Sequence, residues 1–138
     1  MLILRAGLIF SPNHYFSTRD TRFLSGLLKE NIPTLYTAKF AVDPHGITIY
    51  CYLDDGSEEE MQSLLTVLQE NISEEMCKAL RKKHMEYYED FLWQGIHVSI
   101  SSRRTNPFWY FCEYDHYAFA AWKEGPLEEF KLYRWEDR

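Results

Sequence analysis

Residues 47–65 read ITIYCYLDDGSEEEMQSLL, and the change of rhythm inside this stretch decides the fold class. Ile47, Ile49, Cys51 and Leu53 fall on one face of an alternating run, with Thr48, Tyr50 and Tyr52 on the other. That is the period-two pattern of a strand with one apolar side. Asp54-Asp55-Gly56 turns the chain into Ser57-Glu58-Glu59-Glu60, which reads as a capping box: Ser57 and Glu60 each satisfy the other's free backbone amide. Met61, Leu64, Leu65 and Leu68 then recur at helical spacing. A strand passing directly into an amphipathic helix requires a sheet with helices on it.

Toward the N-terminus, Thr34 to Val42 is a second extended run. Asp43-Pro44-His45-Gly46 separates it from the first with turn chemistry, which predicts an antiparallel hairpin. Thr18 to Asn31 reads as a helix with Phe23, Leu24, Leu27 and Leu28 on its apolar face, ended by Asn31-Ile32-Pro33. Leu2 to Phe10 reads as a largely buried strand. It is too short, and too interrupted by Arg5, for a signal peptide. Toward the C-terminus, Ser73 caps a further helix whose stripe runs Met76, Leu80, Tyr87, Phe91 and stops by Gly95. Ile96, Val98 and Ile100 alternate with His97, Ser99 and Ser101 in an expected half-buried strand. Thr105-Asn106-Pro107 turns the chain into another strand, Phe108 to Asp115. The tail reads as a helix-like piece from Tyr117 to Lys123, a break at Gly125-Pro126, and an edge strand from Phe130 to Trp135. The expected fold is α+β: a mixed, mainly antiparallel sheet with helices packed on one face, in the order β-α-β-β-α-α-β-β plus a short α/β tail, over one domain spanning residues 1–138.

Composition narrows the function classes. Of 138 residues, 46% are hydrophobic, enough for a core at this length. Asp and Glu outnumber Lys and Arg by 21 to 15, a net charge of −6 that argues against direct nucleic-acid binding. Cys51, Cys77 and Cys112 form no CxxC pair and read as reduced core thiols, consistent with a cytoplasmic protein. No run approaches the ~18 apolar residues of a membrane helix. With six glycines and no phosphate-cradling motif among them, and no three-ligand spacing of His, Asp, Glu or Cys, neither cofactor nor metal is expected.

Charge placement is the clearest unusual feature. From Asp43 to Glu75 there are nine acids and no Lys or Arg. Such a block speeds encounter with a basic partner and repels nucleic acid. The plainer reading is a solvated face: Glu58 to Glu60 and Glu74-Glu75 sit in first helical turns, where each complements the helix dipole by ~0.3–1 kcal/mol. Aromatic residues are the second feature, with Tyr, Phe and Trp numbering 10, 9 and 4. Tyr50 and Tyr52, on the strand leading into the acids, have the character of protein-binding anchors; a two-sided core is the competing explanation.

In size, in its basic-free stretch from Asp43 to Glu75, and in its Tyr and Trp content, the chain resembles the immunity proteins of bacterial toxin–immunity pairs, including those of contact-dependent growth inhibition. The resemblance implies a non-enzymatic inhibitor that covers the basic active-site cleft of a nuclease toxin. Asp54, Asp55, Glu58, Glu59 and Glu60 would then meet the partner's Lys and Arg groups, with Tyr50 and Tyr52 beside them. Two alternatives stand next to it. One is a phage DNA mimic with the same acidic face. The other is a small phosphoesterase or RNase using His97, Ser99 and Arg103, since His97-Val98-Ser99 resembles half of the paired motif of the two-histidine phosphoesterases. The second half is missing: His14, His45 and His116 are followed two positions on by Phe16, Ile47 and Ala118.

Overall fold

The computed structural model describes residues 14–103 and 116–134. The expected strands Leu2 to Phe10 and Phe108 to Asp115, together with Cys112 and Trp135, lie outside the described residues. Within them, six strands form one sheet in sequential order: β1 (His14–Phe16), β2 (Leu35–Asp43), β3 (Gly46–Leu53), β4 (Gly95–Ser102), β5 (His116–Ala121) and β6 (Lys131–Arg134). Three helices, α1 (Arg19–Asn31), α2 (Glu58–Asn71) and α3 (Glu74–Met85), pack on one face. The α+β class and the helix-on-one-face layering are those expected from the residue pattern.

Neighbouring strands are antiparallel except β3 and β4, which run parallel over eight paired positions from Gly46↔Gly95 to Leu53↔Ser102. A parallel pair needs a long crossover, and α2 and α3 supply it. Across the helix-covered face the register lines up Phe40, Ile49, Val98 and Ala118 in one row, and Val42, Ile47, Ile96 and Ala120 in the next. All are buried, as are Leu24 and Leu28 of α1, Met61, Leu64, Leu65 and Leu68 of α2, and Cys77 and Leu80 of α3. Burial of this apolar surface, at ~25 cal/mol per Å2, is the main favourable term.

Local chemistry starts each helix. Thr18 and Thr21 form a reciprocal capping box, with N···O distances of 2.8 and 3.2 Å. At α2 the box is only half made. Ser57 Oγ accepts from the Glu60 amide at 3.2 Å, but the Glu60 carboxylate turns away and accepts from the Thr34 hydroxyl at 2.8 Å, tying α2 to the start of β2. Ser73 caps α3 by accepting from the Met76 amide. The hairpin turn is held by Asp43: Oδ1 accepts from the amides of His45 (2.8 Å) and Gly46 (3.0 Å), and Oδ2 accepts from the Thr48 hydroxyl.

Besides the Ser57–Glu60 box, four expectations need correction. First, α3 stops at Met85, and the stripe does not continue through Tyr87 and Phe91, which are 46% and 81% exposed. The chain folds back so that Asp90 reaches Arg81 with two bonds of 2.7 and 2.8 Å, a contact that nine residues of straight helix, ~13 Å, would prevent. Second, residues 117–121 are strand β5, not helix. Ala118 and Ala120 alternate with half-buried Tyr117 and Phe119, and the small side chains face Val98 and Ile96 across the ladder. Third, β4 is not half-buried: as a central strand it keeps Ser99 and Ser101 only 7% and 3% exposed. Fourth, Phe23 is half exposed although Leu24 and Leu28 of the same helix are buried. The final strand does form the sheet edge, at β6. It is reached by a tail fastened to α2 through Gln69, whose amide nitrogen donates to the carbonyls of Leu127 and Glu128, and whose oxygen accepts from the Phe130 amide.

Glycine opens the parallel pair for a steric reason. A Cβ on Gly46 would lie 2.0 Å from the Gly95 carbonyl oxygen, and one on Gly95, at φ +154°, would lie 2.3 Å from that of Ala120. We expect Gly46→Ala to cost ~1–3 kcal/mol in urea-unfolding free energy through this overpacking; a change within ~0.5 kcal/mol would show that the strands can separate without loss. Burial also pushes the thiols of Cys51 and Cys77 up to about 12. In a Cys112→Ser background, a disulfide thiol reagent at pH 8 is therefore expected to label neither thiol in the native protein and both after unfolding.

Candidate protein-binding surface

Parallel pairing puts the C-terminal ends of β3 and β4 at the same border of the sheet, and the acidic turn emerges there. Asp54 and Asp55 follow β3; Asp55 adopts a left-handed conformation at φ +68°. Gly56 is buried, its carbonyl accepting from Ser102 Oγ at 2.7 Å, and Glu58, Glu59 and Glu60 fill the first turn of α2. Five carboxylates thus occupy seven residues at one corner.

The corner also gathers cations from distant parts of the chain. Arg103, just past β4, donates from its backbone to the Leu53 carbonyl and places its guanidinium 3.0 Å from Asp54 Oδ1. Arg134, the last residue of β6, and His116, the first of β5, are register partners. Both reach Glu58 Oε1, at 2.8 and 3.3 Å, and the His116 side chain is almost fully buried. The Arg134 hydrogen bond, followed by that of His116, holds the Glu58 carboxyl below its usual pKa of 4.5. Glu60 is engaged by Thr34, whereas Glu59 points into solvent as an exposed carboxylate. The other acids of the basic-free stretch lie elsewhere. Asp43 is the hairpin latch, while Glu70 lies in the last turn of the 14-residue α2 and Glu74 and Glu75 just past it, ~20 Å away. There Glu74 accepts from the Gly125 amide and Glu75 pairs with Lys78. The nine acids therefore form separate groups instead of one patch.

Tyr50 and Tyr52 lie on the sheet face opposite the helices and are half-buried. Tyr50 belongs to a cross-sheet row, Lys39–Tyr50–Ser99–Tyr117–Tyr133. Tyr15 approaches Tyr50 with ring centroids 6.1 Å apart, and Tyr117 stacks on Tyr133 at 5.3 Å. Tyr52 is the nearer of the two to the acidic corner along β3.

His97 and Ser99 share that face, but Arg103 does not join them. It lies six residues on, ~20 Å along an extended chain, and is held at Asp54. The His97 ring rests 4.5 Å from that of Phe119, and burial lowers its pKa below the usual 6.5, with nearby Asp43 opposing and His45 reinforcing the shift. Among the described residues no group of three or more His, Cys, Asp or Glu is placed to hold a metal ion, and no helix is long and apolar enough to cross a membrane. Nothing in the sequence ties these cations to the acidic corner, not even Arg103, which it offers only beside His97 and Ser99, because they arrive from positions 49 to 76 residues away, as the separation of Arg103 and Arg134 from their partners shows. Compared with known proteins, the chain matches no family model, no curated protein and no solved structure.

These two shifts set an expected acid response. A neutral His97 favoured by the fold means that the unfolded chain binds more protons below pH 6.5, so stability falls as pH drops through that point. The depressed Glu58 carboxyl adds a second loss as pH falls through the region below 4.5. Urea midpoints measured from pH 8 to pH 4 should decline on acidification, and His97→Gln should flatten the upper part of the decline. An unchanged profile in that variant would remove His97 from the account.

Proposed function

We propose that this chain is a non-enzymatic binding domain that neutralises a basic protein, acting in the bacterial cytoplasm as an immunity protein against a nuclease toxin. The observation that carries the reading is the corner at Asp54, Asp55 and Glu58 to Glu60, five carboxylates on a turn anchored at both ends by regular structure. The bridges to Arg103 and Arg134 do not disqualify it. Both pairs are about half exposed, a setting in which an ion pair contributes only ~0–1 kcal/mol, so a partner's guanidinium can replace an internal one at small cost. The same pairs hold the carboxylates in place before the partner arrives, which lowers the entropy lost on binding. Glu59 offers the first contact during approach, and Tyr52, next along β3, offers ring area beside it.

The test begins with capture of the tagged protein's partner from its native host at low and high salt, followed by association kinetics with that partner. Glu59→Lys alone, which touches no internal bond, is expected to slow association several-fold at low salt. Joint Glu58→Lys, Glu59→Lys and Glu60→Lys is expected to slow it by more than tenfold, with both effects shrinking as salt rises. His97→Ala should leave binding intact. Unaltered affinity in the triple variant would move the interface away from this corner.

A further inference from the structure

The C-terminal strand is fastened unevenly along its length. Up to Phe130 the tail is anchored: the Gly125 amide donates to Glu74 at 3.1 Å, Arg81 donates to the Lys123 carbonyl at 3.2 Å, and Gln69 accepts from the Phe130 amide at 2.8 Å. The Phe130 ring is buried in the core. From Lys131 onward the character changes. Lys131, Tyr133 and Arg134 are exposed, and Leu132 packs only partly against the core. Among the described contacts, β6 is held by a four-residue ladder with β5, by the Tyr117–Tyr133 stack and by the Arg134 bridge to Glu58. An edge strand with so little buried apolar surface belongs to the part of a fold that opens locally at low cost. Its hinge is Phe130.

From this arrangement we infer that β6 is a self-inhibitory strap, which closes on the acidic corner through Arg134 and competes with a basic partner for Glu58. The inference rests on the corner being the binding surface. Glu58 Oε1 takes two donors with different roles. His116, on β5 and almost fully buried, stays in place when β6 opens and keeps the carboxylate oriented. Arg134, half exposed and at the end of β6 far from the hinge, is the donor that a partner's guanidinium replaces. The Asp54 bridge has no such device, because Arg103 follows the central strand β4 and its amide is bonded to the Leu53 carbonyl. A binding-competent state that is only partly populated lowers apparent affinity by its own fraction. A half-exposed ion pair shifts that fraction by up to about fivefold. By linkage, a cation seated on Glu58 must also favour the open strap.

The test uses the full-length protein, amide hydrogen exchange, and a hexa-arginine peptide as the cationic probe. In the free protein the β6 amides that bond to β5 are expected to exchange about tenfold or more faster than those of β4, while the Phe130 amide stays protected. Arg134→Gln should speed the β6 amides by up to about fivefold. With peptide at low salt, amide shifts from Asp54 to Glu60 report binding at the corner. Arg134→Gln should bind it about two- to fivefold more tightly than Lys82→Gln. The second variant removes the same charge from the last turn of α3, beside the Pro44 turn at the opposite end of β3. Bound peptide should in turn speed β6 exchange in the wild-type chain. Exchange in β6 as slow as in β4, or unmoved by Arg134→Gln, would overturn the strap whatever the partner. So would equal peptide affinity in the two variants, or unchanged β6 exchange in the complex. Peptide shifts missing from the corner in every variant, with β6 opening as expected, would instead overturn the corner as the binding surface, and the competition for Glu58 with it.

Discussion

The pairing of β3 with β4 is the constraint on which the rest of the molecule depends. Running the two strands parallel forces the chain to travel the length of the sheet between them, and α2 and α3 make that journey over the face that carries Ile47, Ile49, Ile96 and Val98. The pair opens at Gly46 and Gly95, where side chains would collide with backbone, and closes at Leu53 and Ser102, where Ser102 Oγ grips the Gly56 carbonyl. Hydrophobic burial supplies the driving force, and the glycine contact and the serine bond set the register. One strand slipped by one residue would turn every buried side chain to the opposite face.

The electrostatics of the acidic turn follow from the same pairing. A parallel neighbour delivers Arg103 to Asp54, and the antiparallel order of β5 and β6 delivers His116 and Arg134 to Glu58. A run of carboxylates that looks like an uncompensated negative block along the chain becomes, in three dimensions, a group of charges partly matched by cations. What it retains is arrangement: the carboxylates are held on a short, anchored turn, with Glu59 facing solvent. Complementarity of this kind acts on encounter rate and specificity more than on raw affinity. It suits a domain whose role would be to find a basic protein quickly.

Local signals were legible wherever one element's own residues decide the outcome. The caps at Ser57 and Ser73, the alternation of β3, the Asp43–Gly46 turn and the apolar stripe of α2 are all short-range patterns, and each is found where the residues point. Failures came where distant contacts outweigh local preference. His-Tyr-Ala-Phe-Ala-Ala has helix-forming alanines, yet it is drawn into the sheet because Ala118 and Ala120 fit against Val98 and Ile96. Tyr87 and Phe91 continue the helical spacing of Met76 and Leu80, yet the helix ends at Met85 and the chain folds back, with Asp90 meeting Arg81 and both rings left exposed.

Of the candidate surface, the carboxylates and the two strand tyrosines could be named from order along the chain, because a turn and a strand keep neighbours together in space. Their partners could not. Arg103, His116 and Arg134 carry no motif, and only the strand order β3–β4–β5–β6 brings them to one border. His97, Ser99 and Arg103 show the converse: close in number and alike in chemistry, they are separated because an extended strand adds ~3.3 Å per residue and Asp54 holds the arginine. Composition and periodicity therefore settle the class of fold and the position of its acidic turn, since these rest on local conformational preference and on the burial of apolar faces. Which charges meet, and which stay exposed, is decided by strand pairing between distant segments, where register and crossover place side chains that no local pattern connects.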